Sequence, residues 1–160
     1  MGRRVYKSGF DTVSIGTAVQ DVWMLKSGAS NGIQLHWMQA TAAGVTTAAQ
    51  IRMRLKRGTA TVTVGSGGTT PAANLVDDGD TKASGSTVHA NDTTQATTSG
   101  NFTAYVEYFQ WNVLLPFDYM PGPEDEDRPS CLVSEAIIFD LPATITATSV
   151  SSNVAWREYP

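Results

Sequence analysis

Aromatic residues are missing from a long central part of this chain. The 44 residues at positions 58–101 include no Phe, Tyr or Trp, and 11 of them are threonine. A segment of this composition can bury little apolar surface, and plain segments of this length are uncommon in compact domains. We therefore expect residues 58–101 to form an extended arm or lid, held in place by the rest of the sheet, a second subunit or a larger shell.

Charge and cysteine are also scarce. Only 16% of the 160 residues are charged and the formal net charge is -4, which argues against the basic surface of a nucleic-acid-binding protein. The single cysteine, Cys131, makes neither an internal disulfide nor a zinc site. No apolar run reaches membrane-spanning length, and none follows the basic N-terminal residues as in a signal peptide. We expect a soluble protein made in a reducing cytoplasm, without nucleic-acid or membrane partners.

Motifs for catalysis or cofactor binding are absent as well. The sequence has no G-x-S-x-G motif, and the glycine-rich residues 64–71 lack the G-K-[ST] ending of a phosphate loop. His36 and His89 are far from each other and from Cys131 in sequence, which gives weak grounds for a transition metal. Residues 77–80 (DDGD) resemble part of a calcium loop, but the completing glutamate is missing, which favours a solvated turn. We expect neither enzyme activity nor a cofactor or metal.

Alternation of apolar and polar residues is the main structural signal that is present. It is clearest at residues 50–57, where apolar and basic side chains would face opposite sides: Ile51, Met53 and Leu55 against Arg52, Arg54 and Lys56. Residues 33–40 predict a second such strand, with Ile33, Leu35 and Trp37 on one face. This pattern is typical of antiparallel strands with one buried face.

Further apolar segments complete a set of about eight strands, and no amphipathic helix is predicted. The other predicted strands are residues 5–15, 21–26, 102–115, 132–139, 141–150 and 153–159. Ser151 and Ser152 separate the last two, which indicates a hairpin. Short strands joined by turn residues predict an all-β fold, either a β-sandwich or a barrel. A chain of 160 residues fits a single domain, residues 1–160, with its own core.

Two groups of opposite charge are the candidate partner-binding residues. The basic group lies on the strand at 50–57 and the acidic group in a proline-rich loop: Arg52, Arg54, Lys56 and Arg57, and Glu124, Asp125, Glu126 and Asp127. Opposite charges on separate elements can fix the register between two surfaces. We hypothesise that the basic strand face meets carboxylates of a neighbouring subunit or a shell protein. The alternatives are a solvated strand face and an exposed acidic loop.

Four tryptophans fall in predicted strands: Trp23, Trp37, Trp111 and Trp156. Aromatic side chains in strands usually belong to the core, where each buries a large apolar area. We therefore predict core positions for them. A cluster of tryptophans exposed on one surface would instead favour carbohydrate or partner binding.

Several short motifs occur in a characteristic order along the chain. The C-terminal third has FQWNVLLPFDY, the turn PGPEDEDRP, a strand, the run ATITATSV and the terminal VAWREY, and the start adds MGRRVY, SGASNG, IQLHWMQ and IRMRLKRG. In this layout the chain resembles capsid decoration (cement) and other head-associated proteins of tailed bacteriophages. The resemblance implies a β-sandwich that forms a homotrimer, and it implies no catalytic residues. Together with the strand pattern it predicts an antiparallel, jelly-roll-like sandwich.

The resulting functional prediction is a structural virion protein on the capsid surface. Such a protein decorates and stabilises the assembled capsid, with the major capsid protein and copies of itself as partners. It stabilises the shell by mass action, because it binds the assembled lattice and not the free subunits. The alternative is a phage tail or baseplate module that binds a host glycan through exposed tryptophan and tyrosine.

Overall fold

The computed structural model describes residues 4–16, 18–59, 61–77, 81–98 and 104–160. Its strands are β1 (Arg4–Ile15), β2 (Gln20–Lys26), β3 (Gly32–Ala43), β4 (Gln50–Gly58), β5 (Val62–Thr63), β6 (Asn74–Leu75), β7 (Thr87–Asp92), β8 (Thr97–Thr98), β9 (Ala104–Asn112), β10 (Phe117–Tyr119), β11 (Ser130–Cys131), β12 (Ala136–Leu141) and β13 (Thr148–Tyr159). A 3-10 helix covers Asp125–Asp127. In these ranges no helix is long and apolar enough to cross a membrane. Residues 78–80 of the predicted DDGD turn at 77–80 lie outside the described residues.

The strands form two antiparallel sheets that pack face to face. Sheet A has the order β10-β3-β13-β1-β6, with β11 also paired to β3, and sheet B has the order β7-β2-β12-β4-β9. The two-residue strands β5 and β8 pair with each other as a third, small sheet. The predicted all-β antiparallel β-sandwich is therefore confirmed.

Eight of these strands have the connectivity of a jelly roll. In chain order they are β1, β2, β3, β4, β9, β10, β12 and β13. The first pairs with the last, the second with the seventh, and so on inward: β1 with β13, β2 with β12, β3 with β10, and β4 with β9. A ribbon of eight strands folded double in this way produces the two packed sheets of a jelly roll. The prediction of a jelly-roll-like sandwich is confirmed.

The aromatic-free segment connects β4 and β9, the two strands at the middle of the folded ribbon. Its β6 pairs with β1 at one edge of sheet A, and its β7 pairs with β2 at one edge of sheet B. The part formed by β5, β8 and residues 95–96, which we call the lid, covers the outer face of sheet B. There Val62 and Ala96 form a buried apolar cluster with Met24 and Ile138.

A carboxylate near the C-terminus also holds this segment. Glu158 accepts hydrogen bonds from Ser84 Oγ at 2.5 Å, the Gly85 amide at 2.9 Å and the Ser86 amide at 3.0 Å. Burial by itself would raise the pKa of Glu158, but these donors hold it below its ordinary value. The described parts of residues 58–101 are therefore fixed by their own sandwich. Of the three supports expected for this segment, these contacts come from the rest of its own sheet, and contact with a second subunit or a shell stays a prediction.

Large apolar side chains fill the space between the two sheets. Trp23, Trp156 and Phe139 are at most 1% exposed, and Tyr6 stacks on Trp156 with ring centroids 5.9 Å apart. Each such side chain contributes on the order of 2 kcal/mol or more through burial. The predicted core position is confirmed for three tryptophans: Trp23, Trp111 and Trp156. The fourth, Trp37, is only half-buried.

β3 does not keep the predicted alternation along its whole length. Ile33 and Leu35 belong to the core and Met38 joins them, whereas Trp37 does not. The pairing of β3 with β13 shifts by one residue at this point, so His36 is the extra residue of a β-bulge. The prediction that Trp37 shares a face with Ile33 is wrong, because one inserted residue reverses which side chains point inward.

β13 is one continuous strand of 12 residues where the sequence predicts a hairpin. Both predicted turn residues lie inside it, and Ser152 is only 1% exposed. Ser152 Oγ accepts a hydrogen bond from Trp23 Nε1 at 2.8 Å and donates one to the Gln39 carbonyl at 2.6 Å. These two bonds allow a hydroxyl to occupy a core position, so the pair of serines does not end the strand.

Replacing Ser152 tests this account of β13. We expect Ser152→Ala to lower the free energy of unfolding by about 1–3 kcal/mol, because it leaves the buried Trp23 Nε1 without its acceptor. Urea unfolding followed by tryptophan fluorescence measures the change. The matched control is Ser151→Ala at the neighbouring, less buried position, which should cost under about 1 kcal/mol. Equal losses in both variants would contradict the proposed role of Ser152.

Candidate functional site

A row of charged side chains crosses the outer face of sheet B under the lid. Four residues of adjacent strands are in register: Arg54 of β4, Asp140 of β12, Asp21 of β2 and Asp92 of β7. The three aspartates are at most 1% exposed. Buried charges are destabilising unless they are paired and hydrogen-bonded. The partners of these carboxylates therefore determine what the row does.

Asp140 lies between two cations of the neighbouring strand. Arg54 Nε is 3.0 Å from Asp140 Oδ1, and Arg54 Nη2 binds Asp140 Oδ2. Lys56 Nζ lies 2.9 Å from the same Oδ2. A two-nitrogen contact between a guanidinium and a carboxylate is a strong, directional interaction. Asp140 thus fixes how β4 and β12 are aligned.

Asp21 connects the row to the lid. Its Oδ2 accepts a hydrogen bond from the Ala96 amide at 2.7 Å, and its Oδ1 accepts one from Gln95 Nε2 at 3.1 Å. Gln95 Nε2 also lies 3.3 Å from Asp140 Oδ2. Burial raises the pKa of Asp21 to about 6; the charge of Asp140 adds to the rise, while the Ala96 amide and Lys56 oppose it.

Asp92 ends the row at β7. His89 Nδ1 lies 3.0 Å from Asp92 Oδ2, and the Gly68 amide donates to Asp92 Oδ1 at 3.2 Å. All three carboxylates thus have partners within the chain. Asp21 and Asp140 bind Gln95 of the aromatic-free segment, and Asp92 is part of that segment. The row therefore holds the segment on sheet B. In the described ranges, no cluster of three or more His, Cys, Asp or Glu side chains is suited to a metal ion.

The four predicted basic residues have two different environments. Arg54 and Lys56 belong to the buried row, and Lys56 is only 6% exposed. Arg52 and Arg57 are exposed, and the Arg52 guanidinium lies 5.2 Å from the centre of the Tyr108 ring. Only these two arginines of the predicted set therefore present their charge at the surface of β4.

The predicted acidic loop contains the 3-10 helix. Asp125 Oδ2 lies 2.8 Å from Arg157 Nη2, and the Asp125 carbonyl accepts a hydrogen bond from Gln34 Nε2 at 2.6 Å. Gln34 and Arg157 are paired on β3 and β13, so the turn covers one end of the outer face of sheet A. Three of its carboxylates are exposed: Glu124, Glu126 and Asp127.

One predicted basic residue lies beside this acidic turn. Arg57 lines a surface depression of about 260 Å³ together with Glu126 and Asp127. Its Nη1 lies 3.5 Å from the Ser130 carbonyl. The end of β4 and the acidic turn therefore form one surface that carries both signs of charge, which we call the mixed-charge surface.

His36, the bulge residue of β3, also contacts the acidic turn. Arg128 Nη1 lies 3.0 Å from His36 Nδ1. Burial, together with the positive charges of Arg128 and Arg157, lowers the pKa of His36 to about 4. The imidazole is therefore neutral at pH 7 and can accept a hydrogen bond from Arg128. This bond adds to the contacts that hold the turn against sheet A.

The sequence analysis did not identify the buried row. The sequence feature that could have indicated this row is a single aspartate in a largely apolar strand, as in QDVWMLK (Asp21) and AIIFDL (Asp140). A lone charge in a buried strand requires a partner. The identity of that partner depends on which strands become neighbours, and β2, β12 and β4 are far apart in sequence.

Comparisons with known proteins identify no family. No protein-family model matches the chain, and no curated protein matches it. Among solved structures, the chain has a TM-score of 0.22 and 12% identity to a chain of the T13 viral particle of infectious bursal disease virus, and it covers 40% of that chain. For a structure of the Gx strain of this virus, the TM-score is 0.17, the identity 14% and the coverage 43%. Values this low carry no argument about the function.

Removing the central carboxylate of the row tests its role in stability. We expect Asp140→Ala to lower the free energy of unfolding by about 3–5 kcal/mol, because Arg54 and Lys56 lose the buried carboxylate that both contact. Chemical unfolding monitored by circular dichroism measures the loss. Asp118→Ala, at an exposed aspartate of β10, is the control and should change stability by under about 0.5 kcal/mol. A loss below about 1 kcal/mol for Asp140→Ala would contradict the assignment.

The raised pKa of Asp21 predicts a specific pH dependence. The folded state binds the proton of Asp21 more tightly than the unfolded state does, so protonation of Asp21 stabilises the fold. This stabilisation is complete below about pH 4 and is lost as the pH rises through about 6. From pH 4 to pH 7, the wild type should lose about 2–3 kcal/mol relative to Asp21→Asn, since one pKa unit corresponds to about 1.4 kcal/mol.

Unfolding free energies of both proteins, measured at intervals over that pH range, provide the comparison. The asparagine keeps an oxygen that can accept the Ala96 hydrogen bond but does not titrate. Parallel stability curves for the two proteins would show that Asp21 does not titrate in this range.

Proposed function

We propose that this chain is a structural virion protein that decorates and stabilises the assembled capsid of a tailed bacteriophage. It acts by contact with the major capsid protein and with copies of itself at the capsid surface, and not as an enzyme. The proposal includes assembly as a homotrimer, which the resemblance to head-associated proteins implies.

The observation that carries this proposal is the jelly-roll connectivity. The four ribbon pairs, β1 with β13, β2 with β12, β3 with β10 and β4 with β9, form the arrangement that viral capsid proteins use. Its interior is filled with side chains such as Trp23, Trp156 and Phe139. Contacts with other molecules are therefore left to the surfaces of the sandwich.

The mixed-charge surface supports contact with other protein subunits. Arg57 is exposed beside Glu126 and Asp127, and Glu124 is exposed on the same turn. Arg52, also exposed, lies nearer the start of β4. A surface with both signs of charge can complement a second copy of itself or an opposite pattern on the shell. Arg54 is not part of this surface, because its guanidinium binds Asp140 in the buried row.

Co-sedimentation with purified capsids tests the proposal. We expect the wild-type protein to sediment with capsids and to raise the temperature at which they release their contents. Arg52→Glu combined with Arg57→Glu should weaken capsid binding at least about tenfold, since two lost charge contacts of about 0.7 kcal/mol each correspond to that factor. Sedimentation at increasing protein concentration gives the apparent Kd.

The matched control is Lys7→Glu, which reverses an exposed cation on sheet A and leaves the mixed-charge surface intact. Circular dichroism should show all three proteins folded. Absence of wild-type binding to capsids would refute the decoration function. Binding that survives the double reversal unchanged would refute only the role of the mixed-charge surface.

A further inference from the structure

The two outer faces of the sandwich are covered to different extents. The lid covers sheet B, where Met24, Ala136 and Ile138 are 0% exposed. On sheet A the acidic turn covers only the end near Gln34 and His36, through the contacts of Asp125 and Arg128 described above. No other described segment covers the part of sheet A beyond the β3 bulge, and most of its outward side chains are polar.

Two rows of side chains cross this open part in register. One runs from β10 to β1 as Asp118, Gln39, Asn153 and Gly9. The next runs from β3 to β6 as Trp37, Ala155, Lys7 and Asn74. We call these two rows the floor. Gly9 lines a low point that Asn153 borders, whereas Ala155 is covered by its neighbours and only 1% exposed.

Two surface depressions lie on this floor and meet at Asn153. One, of about 250 Å³, includes Gln39, Thr41 and Asp118. The other, of about 380 Å³, includes Lys7, Gly9 and Asn74. Asn153 lines both, so the two depressions are adjacent; together they extend over the five strands from β10 to β6, and we call them the groove. Four strand spacings give it a length of about 19 Å, which suits an extended ligand.

The side chains of the groove are suited to form hydrogen bonds with the hydroxyl groups of a ligand. Asn153 and Gln39 are exposed, and in the described part of the chain no hydrogen bond uses their side-chain amides. A side-chain amide donates and accepts at once, and a carboxylate such as Asp118 accepts from a hydroxyl. Next to the groove, on the same face of sheet A, Trp37 has a half-buried indole, with Lys7 Nζ 5.3 Å from the ring centre. An indole beside amides provides apolar contact next to polar contact.

The charge of the groove selects among extended ligands. Its one cation, Lys7, is balanced by Asp118 at the other end, so a polyanion such as a nucleic acid gains little there. A peptide bound along the groove would cross the strands of sheet A instead of running beside one of them, so it could not add to the sheet as a further strand. A neutral polymer rich in hydroxyl groups fits both conditions.

We infer that the groove across the outer face of sheet A binds a neutral oligosaccharide. Asn153 and Gln39 hydrogen-bond its hydroxyl groups, and Trp37 contacts an apolar sugar face. This inference does not rest on the capsid proposal, because the groove and the exposed arginines of β4 are on different sheets. It also differs from binding through a cluster of exposed tryptophans, since one half-buried indole takes part.

Calorimetric titration of the full chain with neutral hexasaccharides tests the inference. The probes are cellohexaose, xylohexaose, mannohexaose and maltohexaose, with a heparin hexasaccharide as the polyanion. We expect at least one neutral probe to bind and to change the fluorescence of the partly exposed Trp37. Asn153→Ala and Gln39→Ala should each raise the Kd about tenfold, which corresponds to the loss of one well-placed hydrogen bond.

The matched control is Gln110→Ala, which removes an exposed amide from β9 of the other sheet and should leave the Kd unchanged. Thermal unfolding of each variant confirms that the fold is kept. The inference is overturned if no neutral probe binds, if only the heparin hexasaccharide binds, or if the two groove variants bind as well as the control. Capsid co-sedimentation of Asn153→Ala separates this result from the decoration function, since it should be unaffected in either case.

Discussion

The burial of Asp140 is the constraint on which the rest of the sandwich depends. A carboxylate with no access to water must be neutralised by the protein, and both cations that do so come from the adjacent strand, as Arg54 and Lys56. β4 can therefore pair with β12 in one register only. That register in turn places Ile51, Met53 and Leu55 in the core, since a slip by one residue would turn them toward solvent.

The lid follows from the same constraint. On a bare sheet, the row of Arg54, Asp140, Asp21 and Asp92 would be hydrated, and Met24 and Ile138 would be exposed beside it. The jelly roll brings a segment to this place because the connection between β4 and β9 starts at the middle of the folded ribbon. From there the aromatic-free segment reaches β1 and β2, extends both sheets by one strand and covers edges that would otherwise be open to other chains.

The sequence is sufficient to predict the fold class but only part of the site. Alternation identifies β4 because no bulge interrupts its apolar face, whereas one extra residue at His36 reverses the pattern of β3. The buried Ser152 looks like a turn because its partners, Trp23 and Gln39, are distant in sequence. The same applies to the row under the lid: its members come from four strands, and only the topology makes them neighbours. The sequence shows which charges lie on one strand, but which of these charges are buried depends on the neighbouring strands.

The different covering of the two sheets bears directly on function. A protein that used both outer faces for contacts would gain from leaving both open. In this chain, however, the described parts of residues 58–101 extend both sheets at one side and close the face of sheet B. Two surfaces left for other molecules are the mixed-charge surface at the end of β4 and the open part of sheet A. Since these share no lining residue, a subunit that docks through Arg57 leaves Asn153 and Gln39 accessible. Binding to a shell and binding to a sugar polymer are therefore compatible in one sandwich.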